Sequence, residues 1–188
     1  MKDLLLFIHG LGSNRKVWHD FKEIINNDND ISNKYDVEFY EYPTHYFHIP
    51  FISRLLDLDD LAKGLKTEIN QRYDKYQSVA LICHRMGGLI ARKYLLNQYE
   101  RKKKLKIYKV IFYSVPHKGS ALACFASSIV IFQNQIKQLC RYSEFIKYLN
   151  ESWARTRIQN AFSLLYIAGG KDMIVDRESS LPYLYNEN

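Results

Sequence analysis

At 188 residues the chain has the length of one domain rather than two. Its 47% hydrophobic and 25% charged residues exclude collagen-like, disordered and membrane-spanning classes. Lys and Arg total 27 against 20 Asp and Glu, giving a formal charge of +7 and a pI of about 9.2, short of a dedicated nucleic-acid binder unless the charge gathers on one face.

Hydrophobic periodicity alternates between strand and helix along the chain. Leu4–Ile8 is a continuous apolar run ended by Gly10, the pattern of a strand buried on both faces. Val17–Asn27 predicts a helix with Trp18, Phe21, Ile24 and Ile25 on one face. A second strand, Val37–Tyr40, stops before Pro43. Leu58, Leu61, Ala62, Leu65, Ile69 and Tyr73 then keep helical spacing for about four turns. A third strand is expected over Ser78–Cys83, a helix over Gly87–Tyr99, a fourth strand over Lys109–Ser114 and a fifth over Ser163–Ala168. Strands alternating with helices predict an α/β domain with a mostly parallel sheet and helices on both faces. The whole chain, 1–188, reads as one domain, with a helical excursion over residues 118–160 placed where a lid would sit.

Cys83, Cys124 and Cys140 are odd in number and lack metal-ligand spacing, so no disulfide framework, metal or cofactor is expected, and a reducing cytoplasm fits. The N-terminal apolar run is too short for a signal peptide, and the longest apolar-rich stretch, Ala121–Phe132, is short of the roughly 20 residues that span a bilayer. His45 and His48 share a loop after the second strand, without carboxylate or cysteine partners for a metal. The basic run Arg101–Lys104 with Lys106 follows a helix and precedes a strand; it reads as a solvated helix end, and nucleic acid is not favoured as a partner.

The segment from Leu81 to Arg92, LICHRMGGLIAR, stands at a strand-to-helix junction. A sharp turn there can hold one side chain above the strand ends, the following glycines letting it close and the next helix aiming its N-terminal amides at the same point. The segment resembles the nucleophile elbow of the lipase-like serine esterase branch of the α/β-hydrolase superfamily, with Arg85 at the nucleophile position. Phe7-Ile8-His9-Gly10-Leu11-Gly12-Ser13 is similar to that family's oxyanion loop, and Val115-Pro116-His117-Lys118-Gly119-Ser120 to its turn after the next strand. Ala168–Val175 is similar to the turn carrying the catalytic acid.

The resemblance implies an α/β-hydrolase fold with a helical lid. It assigns the oxyanion hole to the Leu11 and Met86 amides, the acid to Asp172 (Asp176 as the fallback) and pocket positions to His9, Gly10, His84 and His117. The base histidine is unassigned: all six histidines (His9, His19, His45, His48, His84, His117) precede Asp172. A guanidinium has no lone pair with which to attack an ester. The expectation is a lipase- or carboxylesterase-type domain, acting on ester or lipid-like molecules, that is inactive as written and lacks the last strand and helix. The alternative is a natural pseudo-hydrolase that binds an anionic or acyl ligand or a protein partner. An uncovered fifth strand would then pair with a second copy or a C-terminal segment.

Overall fold

A computed structural model of the chain describes residues 2–11, 13–42, 57–102, 104–119, 138 and 143–169. In chain order these form β1 (Asp3–Ile8), a 3-10 turn (Arg15–Trp18), α1 (His19–Asn27), α2 (Asn29–Ser32), β2 (Tyr35–Tyr40), α3 (Leu58–Gln71) and β3 (Val79–His84). Then come α4 (Met86–Glu100), β4 (Ile107–Tyr113), α5 (Glu144–Thr156), a second 3-10 turn (Ile158–Ala161) and β5 (Ser163–Ile167). The five strands are parallel in the order β2-β1-β3-β4-β5.

The apolar runs of the inner strands β1 and β3 become strands because each is long enough to cross the sheet and is largely buried on both faces. Leu4, Leu6 and Ile8 point to one side, where the buried faces of α3, α4 and α5 complete the main core. Phe7, Ala80 and Ile82 point to the other, where Trp18 and Ile25 close a smaller cluster. Phe7 and Trp18 meet edge to face at 4.9 Å, a geometry that adds about 0.5–1.5 kcal/mol beyond area burial.

Helix ends follow local chemistry. The Asp57 carboxylate accepts the Asp60 N–H at 2.8 Å and starts α3; the Ser143 hydroxyl accepts from Ile146 at 3.2 Å and starts α5. The helix expected over Val17–Asn27 is divided, its first turn being 3-10, and its apolar face is not buried as expected. Trp18 takes the space against Phe7, while Phe21 is 45% and Ile24 66% exposed. This nine-residue helix has no fully buried residue of its own and still packs on the smaller cluster through the partly buried Ile25.

Candidate functional site

β1 is followed by β2 on one side, and β3 by β4 on the other. The strand order therefore reverses between β1 and β3, and in an open parallel sheet the crevice outside the carboxyl ends of the strands at such a point is the usual ligand position. Register places Ile8 beside Cys83, so residues 9–11 and 84–86 face each other across this point.

Arg85 sits at the apex of the second loop with φ 49° and ψ −122°. This is neither a helical nor an extended conformation, and for a residue with a side chain it costs about 1–3 kcal/mol. The surroundings over-determine it. The Arg85 N–H donates to Tyr113 O at 3.1 Å, and its carbonyl accepts the Gly88 N–H at 3.0 Å. Behind it, Gly87 lies so close to the end of β1 that a Cβ there would stand 2.5 Å from His9 O. A Cβ on Gly88 would overlap the Val115 side chain. The two glycines let α4 start directly against β1 and the turn after β4, so the turn at position 85 is held tightly beside the end of β1.

The facing loop is equally constrained. A Cβ on Gly10 would be 3.0 Å from Arg85 Cβ. His9 is 2% exposed, its Nδ1 is 2.9 Å from Gly10 O, and its ring stacks on Tyr42 at 4.2 Å. The Tyr42 hydroxyl donates to His9 O at 2.5 Å. Burial, with Tyr40 and Cys83 adding to it, holds the Tyr42 phenol well above its ordinary pKa, so it stays protonated and donating. Sequence reasoning missed Tyr42; its only signal was an aromatic residue between a strand end and Pro43.

Leu11 is half-buried at the loop's exit and Met86 is 1% exposed at the start of α4. His84 is half-buried, its ring 5.8 Å from both Trp18 and Tyr113. Cys83 has no exposed surface, and burial pushes its thiol up, away from the thiolate a nucleophile needs.

His117, expected at the pocket mouth, has no exposed surface and belongs to a network inside the core. Arg92, two turns beyond Arg85 on α4, is 3% exposed. Its guanidinium donates to His117 Nδ1 at 3.2 Å and to Asn150 Oδ1 on α5 at 2.9 Å, and lies 4.9 Å above the Trp153 ring. Asn150 Nδ2 in turn donates to His117 O at 2.9 Å. Burial lowers the Arg92 pKa to about 10, partly offset by Tyr166. Burial and the Arg92 charge hold His117 well below its ordinary pKa, so it is neutral. This clasp joins the elbow helix, the turn after β4 and α5. Its sequence signal was an arginine following the apolar stretch Leu89–Ala91 of the helix.

Asp172 and its fallback Asp176, together with His45, His48, Cys124, Cys140, Gly12 and residues 120–137 and 139–142 of the expected lid, lie outside the described residues. Of that lid, α5 is described and packs on α4 through Ile146, Leu149 and Trp153. Among the described residues His19, Asp20 and Glu23 bring possible metal-ligand atoms within 4.8 Å of one another, but all three are exposed and at ordinary ion-pair distances. No helix among the described residues is long and apolar enough to cross a membrane.

Comparison with known proteins agrees with this geometry. Protein SERAC1 of Bos taurus is 27% identical over 194 residues, covering 86% of this chain, and Protein SERAC1 of Danio rerio is 32% identical over 97 residues, covering 48%. The chain spans 29% and 15% of those two proteins. Phospholipase PlaB from Legionella pneumophila superposes with a TM-score of 0.70 at 20% identity, covering 95% of this chain and 40% of that one. The mature Bacillus licheniformis lipase BlEst2 superposes with a TM-score of 0.65 at 20% identity, covering 87% and 64%. These structures share the fold: a parallel sheet with helices, of α/β-hydrolase type. With residues 3–184 matched by the PGAP1-like alpha/beta domain family, the chain belongs to that family.

Proposed function

We propose that this domain keeps the ester-binding cleft of a lipase/esterase-type hydrolase while acyl transfer is disabled at position 85. One observation carries the reading: the backbone at Arg85 has the strained geometry of an elbow, yet the side chain on it is a cation without a nucleophilic lone pair. In an active relative of this design a hydroxyl at that point would attack the carbonyl carbon. The amides of Leu11 and Met86 would receive the developing oxyanion, and an acid at Asp172 would orient a histidine base. Here that position carries an arginine instead.

The lipase and phospholipase names of the two structural neighbours support an ester or lipid-like ligand for the cleft. With the cation in place, the cleft favours the carboxylate or phosphate end of such a molecule over turnover. A substitute nucleophile two positions upstream is disfavoured, because Cys83 is enclosed and its thiol is held protonated.

Fluorophosphonate labelling and p-nitrophenyl ester hydrolysis, measured on the native chain and on Arg85→Ser in the full-length protein, test this reading. The native protein should neither label nor turn over ester, and the serine variant should label at position 85. Ester turnover by the native protein, or a serine variant inert to the probe, overturns the proposal.

A further inference from the structure

A second feature lies away from the crevice, on the outer surface where α3 packs beside α4. A groove of about 420 Å³ runs between the helices, walled by Asp59, Lys63, Lys66 and Asn70 of α3, by Gln98 of α4, and by Arg101 just past its end. The charges in this wall are not equivalent. Asp59 is already committed: its carboxylate meets Lys63 Nζ at 2.8 Å, Lys93 Nζ at 3.5 Å and the Asn97 amide at 3.2 Å. Lys63 is likewise held between Asp59 and Asp60.

Lys66 and Arg101 are different. Neither has an ion pair or a side-chain hydrogen bond among the described residues, although Lys66 is half-buried. Gln98, only 6% exposed, lines the same groove. The groove therefore combines two uncommitted cations with amide donors in a concave wall, and the acid beside them is already neutralised.

We propose that the α3–α4 groove is a binding site for a phosphate-bearing group, with Lys66 and Arg101 as its charge-pairing residues and Asn70 and Gln98 as hydrogen-bond donors. Phosphate suits this wall better than a carboxylate because it presents three or more acceptor oxygens to donors converging from two helices. The basic run beginning at Arg101 then acquires a role beyond ending a helix: Lys102 and Lys104 follow in sequence, are exposed, and raise the local positive potential at the groove's end. The site is independent of the reading given for the crevice.

The test uses the intact chain and two charge-matched double variants, Lys66→Gln/Arg101→Gln in the groove and Lys22→Gln/Lys34→Gln outside it. Inorganic phosphate and glycerol 1-phosphate are titrated while the amide signals of Lys66, Gln98 and Arg101 are followed by NMR. Sedimentation with phosphatidylcholine vesicles, with and without phosphatidic acid, is run in parallel. The groove variant should lose about tenfold or more in affinity, the scale of one charge-assisted hydrogen bond, while the other variant changes less than about twofold. Groove-dependent binding of the soluble phosphates identifies a free ligand, and groove-dependent binding only to phosphatidic acid vesicles identifies a lipid headgroup; either supports the site. Equal loss in both double variants means diffuse surface charge, and this outcome, like no binding to any probe, overturns the proposal. Circular dichroism of both variants verifies that these surface substitutions leave the fold intact.

Discussion

The Arg92 guanidinium donates to His117 Nδ1 across 3.2 Å inside the core, and this contact settles the state of the histidine. An arginine side chain can only donate, so Nδ1 is the acceptor and the ring proton sits on Nε2. Nε2 itself is buried without a hydrogen-bond partner among the described residues, and the imidazole ring packs edge to face against Phe112 and Tyr166, with centroids 5.0 and 5.2 Å away. Protonation would put a second cation against Arg92 in the same interior.

Stability should therefore depend on pH through His117. The unfolded chain binds this proton near the ordinary value of 6.5, while burial and Arg92 keep the folded side chain neutral well below it. Below that pH the unfolded state carries more protons, so stability is complete above about pH 6.5 and falls as the solution is acidified, by at most about 1.4 kcal/mol per unit. Urea unfolding at a series of pH values measures the slope. His117→Asn, which retains an acceptor for Arg92 but does not titrate, should flatten the profile between pH 6.5 and 5.

The same network predicts non-additive mutations. Asn150→Ala leaves a guanidinium N–H short of its acceptor inside the protein, at a cost of about 1–3 kcal/mol. Arg92→Met removes the buried cation, and on that background Asn150→Ala should cost less than half as much. A double-mutant cycle by denaturant unfolding reads the coupling directly; an additive cycle would show that the two side chains do not support each other.

Helix propensity and packing make opposite predictions at Gly87 and Gly88. In an exposed helix interior, Gly→Ala would stabilise by about 1 kcal/mol. Here Gly87→Ala drives a methyl group against the His9 carbonyl, a backbone atom that cannot turn aside, and should destabilise by about 2–3 kcal/mol. Gly88→Ala meets the branched Val115 side chain and should be partly rescued by Val115→Ala. Thermal melts of the three variants decide the sign.

Backbone strain at the elbow is measurable in the same way. Arg85→Gly removes the penalty of φ 49° but gives the unfolded chain more freedom, leaving a net gain of about 1 kcal/mol. A variant less stable than the native protein would mean that the Arg85 side chain contributes contacts worth more than the strain. Arg85→Ala separates the two effects, because it loses the side chain and retains the strain.

The amino-acid sequence by itself determined the features that depend on near neighbours. Leu4–Ile8 and Val79–Cys83 are strands because short apolar runs bounded by turn residues bury both faces of a sheet, and Leu58–Ile69 is a helix because its apolar positions recur every three or four residues. The elbow was legible for the same reason, since a strand end, a tight turn and two glycines are consecutive. The extent of burial along Phe21 and Ile24 was not, because periodicity gives the direction of a face without saying whether anything covers it. Nor was the reach of Tyr42 back to His9, or the convergence of Arg92, His117 and Asn150, which are far apart along the chain. Only the tertiary structure decided these, because the strand order β2-β1-β3-β4-β5 determines which loops meet, and the interior they enclose determines which polar groups must find partners there.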